Sequence, residues 1–261
     1  MTNQPNEDTV EREPKIVRML FNDDMARAIV SGRKTVTRRP IVPQPVIPPD
    51  VGQRLAPGET LTMLVNEAWQ SGFVDVRAPC APGDILIGRE CWCPHVEAGA
   101  TWVTYRAGGP SMDVTFDKGP RGLGPLDKVG SLAYSVARRP ADGTLADRGY
   151  THWESSMGMP DWAARIRRRV VSVTVERVQD ITEEDAVREG IRRWTKDGSV
   201  YKYGHIEPGD IGCTPWVDMA RTGRDAFARL WDSIYAAKGL GWDVNPWVWR
   251  IEFASENEPA A

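Results

Sequence analysis

Cysteine is scarce: 4 of 261 residues, too few to make a disulfide scaffold in a chain of this size, so a reducing compartment fits better. No apolar run approaches the ~18 residues needed to span a bilayer. Positive charge is not in excess either. With 33 Lys+Arg against 36 Asp+Glu the net charge is −3, so the chain lacks the global field of a generic nucleic-acid binder. Any contact with a polyanion has to come from a local basic patch. No internal repeat is visible at any period, which excludes solenoids and propellers. Residues Met1 to Pro14 are polar and acidic with no apolar stretch, which is not the pattern of a signal peptide. The expectation is a soluble, cytoplasmic protein with no membrane contact.

What is present argues for a packed core. Hydrophobic residues make up 41% of the chain and 11 are tryptophan, which excludes intrinsic disorder. The length allows one inflated domain or two small ones. It reads here as a single domain over 15–254 between tails at 1–14 and 255–261, with insertions near 40–80, 95–160 and 193–223. Irregular stretches are expected at 40–58, 108–130 and 196–223, where proline and glycine concentrate.

The regular elements announce themselves by period and cap. Lys15 to Phe21 reads as a strand, and Asn22 caps a helix to about Ser31, with Asp23 and Asp24 at its positive end. Gly32 closes it. Thr35 to Arg39 is extended and stopped by Pro40. Ile85 to Trp92 reads as a strand after the turn Pro82-Gly83-Asp84. In Arg167 to Val178, Val171, Val173 and Val175 alternate with Ser172, Thr174 and Glu176. Thr182 caps a short acidic helix, Glu183 to Glu189, that Gly190 ends. From Arg224 to Lys238, Phe227, Leu230, Trp231, Ile234 and Tyr235 follow a helical stripe. Trp247, Trp249, Ile251 and Phe253 alternate with Val248, Arg250 and Glu252 in a last strand. Strands with single helices and no βαβ rhythm predict an α+β fold.

The densest polar cluster is Gly32-Arg33-Lys34-Thr35-Val36-Thr37-Arg38-Arg39. In a strand, Lys34, Val36 and Arg38 face one way and Thr35, Thr37 and Arg39 the other. The cluster is either a phosphate-facing rim or a solvated edge whose cations discourage aggregation.

The helix followed by Gly-Arg-Lys-Thr-x-Thr-Arg resembles the opening of the ASCH family, small barrels related to PUA domains. Pro82-Gly83-Asp84-Ile85-Leu86, the segment from Ile181 to Gly190, and Trp249-Arg250-Ile251-Glu252-Phe253 resemble later stations of the same pattern. Met157 to Ala163 and Trp231 to Tyr235 are similar to segments of the larger ASCH proteins of phages and prophages. The resemblance touches roughly half of the chain. It implies a PUA-like small mixed β-barrel with flanking helices and long insertions, recognising a nucleobase or nucleic acid. It further implies an amidohydrolase removing an acyl group from a modified cytidine. Lys34 would be the base, Thr37 the nucleophile, and Glu189 the acid or orienting group. Alternatives are a non-catalytic RNA- or DNA-binding module and a phage morphogenesis factor.

A free lysine, with a pKa of about 10.4, is a poor base at neutral pH. Arg33, Arg38 and Arg39 would lower it and Glu189 would raise it. Arg33, Arg38, Arg39, Trp69, Glu90, Trp92 and Arg167 are further candidates for nucleic-acid or substrate binding. Arg165, Arg167, Arg168 and Arg169 form a second basic run, either phosphate-binding or a solvated strand end. Trp69, Trp92, Trp153 and Trp162 can stack a base, whereas Trp231, Trp247 and Trp249 fit a core. Cys80, Cys91, Cys93 and His95 lack a familiar zinc spacing, so no metal and no cofactor are expected. His152 and His205 fall in loops without a triad partner.

Overall fold

The computed structural model describes residues 12–45, 77–97, 100–109, 111–113, 153–206 and 215–256. In chain order its elements are β1 (Ile16–Leu20), α1 (Asp23–Val30), β2 (Val36–Pro40), β3 (Ile85–Arg89), β4 (Trp92–Glu97), β5 (Ala100–Tyr105), β6 (Met112–Asp113), β7 (Ile166–Arg177), α2 (Glu183–Arg188), β8 (Arg192–Thr195), β9 (Tyr201–Gly204), α3 (Gly223–Tyr235) and β10 (Trp247–Phe253). The result is a mixed α+β fold with three α-helices and a mostly sheet core among the described residues. No helix among them is long and apolar enough to cross a membrane.

The main sheet has the order β1-β3-β7-β10-β2. β1 pairs parallel to β3, and the other three pairings are antiparallel. The chain passes from one edge, β1, to the other, β2, through α1 alone. The two edges meet beside the helix through Arg39. Arg39 Nη2 donates to the Leu20 carbonyl at 2.7 Å, and its guanidinium lies 5.1 Å above the Phe21 ring. One side chain therefore spans the seam between the two edges, although no ladder closes it.

Alternation along β10 builds the interior. Trp247, Trp249, Ile251 and Phe253 lie in one core cluster with Ile29 of α1, Leu86 of β3 and Val173 and Val175 of β7. Burying each such side chain contributes about 1.5–3 kcal/mol. The opposite face of the sheet carries Val248 and packs under α2 and α3, where Ala186, Phe227, Leu230 and Trp231 form a second cluster. Helix caps follow the sequence: Asn22, Thr182 and Thr222 accept from the backbone amides of Met25, Asp185 and Asp225.

Two expectations need correction. The region 85–92 is not one strand: β3 ends at Arg89 and β4 starts at Trp92. The chain leaves the main sheet there to form a second sheet, β4-β5-β6, inside a stretch expected to be an insertion. The region 196–223 is not wholly irregular, since β9 pairs with β8 in a hairpin. Most of 40–58 and 108–130 lies outside the described residues.

Candidate active site

Lys34 sits between the end of α1 and β2, with its backbone N–H donating to Ala28 and the next N–H, of Thr35, donating to Arg188 at the end of α2. Gly190 makes this approach possible. It has φ +104°, and a Cβ there would lie 3.1 Å from the Cβ of Ala28 and 3.6 Å from that of Lys34. The Lys34 side chain is 0% exposed and Glu189, which caps α2, is 3% exposed. The Lys34 ammonium is in direct contact with Glu189 Oε2 and donates to the Glu189 carbonyl at 3.0 Å. These partners stand 155 residues apart in sequence.

The pair opens onto a larger network. Arg38, 3% exposed, donates to Glu189 Oε1 at 3.2 Å, to Glu176 Oε1 at 2.6 Å and to Asp185 Oδ2 at 2.6 Å. Arg250 forks onto the two oxygens of Asp185 at 2.7 and 3.0 Å and reaches Glu252 at 3.2 Å. Arg188 contacts both Asp185 and Glu252. Lys34, Arg38, Arg188 and Arg250 thus meet Glu176, Asp185, Glu189 and Glu252, four cations and four carboxylates beneath α2.

Burial and partners set the protonation balance. Burial pushes the Lys34 ammonium below its ordinary pKa; contact with Glu189 opposes this, and the like charges of Arg39 and Arg38 add to it. Burial alone would raise the Asp185 carboxyl, but Arg250 and Arg38 outweigh it and hold Asp185 well below the usual carboxylate range. Burial raises the Glu176 carboxyl despite Arg38 beside it.

Thr37 is placed differently. It pairs across from Ile251, and Arg38 pairs across from Arg250, with continuous register from Val36 to Pro40. Thr37 therefore shares a face with Arg39, Trp249 and Ile251, opposite the ion network. It is 2% exposed, and the contacts to the Glu189 carboxylate come from Lys34 and Arg38. The structure brings Lys34 and Glu189 together and sets Thr37 on the far side of β2.

The basic segment 33–39 forms neither a phosphate-facing rim nor a solvated edge. Lys34 and Arg38 are internal, Arg39 spans the sheet seam, and Arg33 donates to Ser31 Oγ at 3.1 Å and the Gly190 carbonyl at 3.3 Å. Glu90 is 0% exposed and forms a two-pronged pair with Arg165, at 2.9 Å on each prong. The Arg165 guanidinium lies 3.9 Å above the Tyr105 ring, and burial raises the Glu90 carboxyl against the pull of Arg165. Trp92 is 1% exposed in a third core cluster with Ile87, Val103 and Met159, and Trp162 meets it edge-on at 5.8 Å. That burial takes the faces of Trp92 away from any base. Arg167 is half-buried on β7, pairing across from Ile87, while Arg168 is buried and donates to the Ile29 carbonyl at 3.0 Å. Trp69 and His152 lie outside the described residues.

Cys80 and Cys93 are buried and Cys91 is half-buried. Burial, with Asp84 nearby, pushes the Cys80 thiol up to about 12, which makes it unreactive near neutral pH. Among the described residues no group of three or more His, Cys, Asp or Glu is placed to hold a metal ion.

Sequence reasoning missed the acidic partners Glu176 and Asp185 and the partner cations Arg188 and Arg250. A signal for part of the set was available. Arg250 and Glu252 alternate with Trp249, Ile251 and Phe253, so they had to share the face opposite the core. No protein-family model, curated protein or solved structure matches the chain.

Proposed function

We propose that the protein recognises a nucleobase in the manner of the ASCH proteins that its sequence resembles, on a PUA-like barrel whose seam Arg39 bridges. In this reading the Lys34–Glu189 pair is the centre of an amide hydrolysis that removes an acyl group from the exocyclic nitrogen of a modified cytidine. The observation that carries the reading is the buried contact between these two residues, with burial lowering the Lys34 pKa from its ordinary value, the direction that favours a general base. A neutral Lys34 takes the Thr37 proton as Oγ1 attacks the acyl carbonyl. The tetrahedral intermediate collapses as Lys34 returns that proton to the departing amine. Water then cleaves the threonine ester, releasing the acid and restoring both side chains. Glu189 holds Lys34 in place and stabilises its ammonium between the two proton transfers. Because Thr37 faces away from the pair, this chemistry requires residues 34–37 to rearrange when substrate binds.

That position of Thr37 favours a second reading, recognition of the base without turnover. The separating experiment is release of acetate from N4-acetylcytidine by the purified protein. Turnover that Lys34→Met and Thr37→Val each abolish, with both variants still folded by near-UV circular dichroism, supports hydrolysis. Retained activity in either variant removes that residue from the mechanism. Absence of turnover in the wild type, with the nucleoside still bound in equilibrium dialysis, supports the binding module.

A further inference from the structure

Among the described residues two lysines are buried, Lys34 and Lys202, and they are partnered in opposite ways. Lys34 meets the Glu189 carboxylate. Lys202 is 8% exposed, and its ammonium donates to the carbonyls of Met219 at 3.1 Å and Val217 at 3.4 Å. A lysine ammonium has three N–H donors and accepts nothing. Two carbonyls therefore take two donors, leave the third, and bring no negative charge. Taking a cation out of water is costly unless an anion meets it.

The chain builds this position from the hairpin outward. Asp197 makes the turn, its Oδ1 accepting from the Ser199 hydroxyl at 2.7 Å and the Ser199 amide at 2.9 Å. The register that follows sets Lys202 across from Trp194, and strand alternation turns it inward between Tyr201 and Tyr203. The Tyr203 N–H donates to the Ala220 carbonyl at 2.9 Å, which lays residues 215–220 alongside β9. There a single turn, Trp216–Asp218, is held by the Pro215 carbonyl, which accepts the Asp218 and Met219 amides. That turn presents the Val217 and Met219 carbonyls to the ammonium. The start of α3 beyond it is already occupied, since Glu183 accepts the Gly223 and Arg224 amides at 2.6 and 3.1 Å.

Lys202 lines an open cleft of about 800 Å³ between this segment and α3, within the roughly 300–1,000 Å³ usual for small-molecule sites. Arg221 and Arg229 line it too, and Arg229 donates to the Asp218 carbonyl. Two acids, Asp218 and Asp225, stand on the same walls, but both are exposed. Water and salt screen an exposed charge, whereas the charge of a buried one acts through a poorer dielectric. Lys202 is thus the cation that dominates the cleft. Val217 and Trp242 add apolar surface beside it.

We propose that this cleft binds a small organic anion, its carboxylate or phosphate group taken by Lys202 with Arg229 beside it, and its apolar body against Val217 and Trp242. A neutral ligand could accept the third N–H, but only an anion supplies the missing charge. An extended polyanion fits less well, because it would lay further negative charge over Asp218 and Asp225. The site shares no residue with the Lys34–Glu189 network, so the inference stands whether or not that pair turns over a substrate.

The test is isothermal titration calorimetry of the full chain with benzoate and phenyl phosphate as probes and benzamide as the neutral counterpart. At least one anion is expected to bind saturably, with benzamide about tenfold weaker or more, the loss of one charged hydrogen bond. Binding of benzoate alone assigns the site to carboxylates, and of phenyl phosphate alone to phosphate esters; either upholds the proposal. Lys202→Met is expected to weaken the anion about tenfold and Arg229→Gln several-fold, while Lys238→Gln, on the exposed turn after α3, changes nothing. The proposal is overturned if neither anion saturates, if benzamide binds as tightly as the anions, or if Lys202→Met matches wild type. Should Lys202→Met fail to fold by near-UV circular dichroism, Arg229→Gln decides, and wild-type affinity in that variant overturns the proposal.

Discussion

Two basic segments of similar composition have opposite fates. Residues 33–39 carry four cations and send two of them, Lys34 and Arg38, into the interior, where carboxylates from β7 and α2 neutralise them. Residues 192–204 also carry four, and there Arg193 and Lys196 remain exposed, each over an aromatic ring. The difference is not in the segments themselves. β2 is an edge strand that α2 and its acidic residues cover, whereas Arg193 and Lys196 stand exposed on a hairpin outside the main sheet. A run of Arg and Lys thus states a charge, and the topology decides whether that charge is spent internally or left at the surface.

The comparison predicts large stability losses in the first segment and small ones in the second. Glu189→Ala should cost the most, about 3–5 kcal/mol by urea unfolding, because it strands the buried Lys34 ammonium. Adding Lys34→Met to that variant should recover a large part of the loss. A double variant as unstable as the single one would show that the loss comes from packing instead.

Asp185→Asn should cost about 1.5–3 kcal/mol, as charged hydrogen bonds from Arg38 and Arg250 are weakened. It should also change the acid limb. The folded carboxyl of Asp185 lies below its unfolded value of about 3.9. Its contribution is therefore complete above that pH and is lost as the pH falls below it toward the folded value. Wild-type stability should drop through this window, and the Asn variant should drop less steeply. Equal slopes would remove Asp185 from the acid response.

Gly190→Ala should cost about 1–3 kcal/mol, since φ +104° strains any side chain there. Arg193→Ser, in the exposed segment, should stay within about 0.5 kcal/mol of wild type. A loss near that of Glu189→Ala would erase the contrast between the two segments.

Local elements were legible in the sequence, and the assembly was not. The caps at Asn22 and Thr182, the stripe through Phe227, Leu230 and Trp231, and the alternation in Trp247 to Phe253 each follow from short-range period. Alternation also placed Thr37 and Arg38 on opposite faces. The partners of Arg38 were not legible, because Glu176 and Asp185 lie 138 and 147 residues away and meet it only through sheet order. The hairpin at 192–204 was hidden for another reason. Its exposed face carries no apolar alternation, and its turn is built from Asp197, Gly198 and Ser199, which read as loop.

The central claim is that burial and neighbouring arginines poise Lys34 as a base while Glu189 holds it. Its most direct test is the titration of Lys34 itself, by NMR of protein carrying labelled lysine, with Lys34→Met used to assign the resonance. The prediction is a resonance, missing in that variant, that titrates below the ordinary lysine value of about 10.4. A titration at or above that value would contradict the claim and make Lys34–Glu189 a structural ion pair that fastens α2 to the sheet.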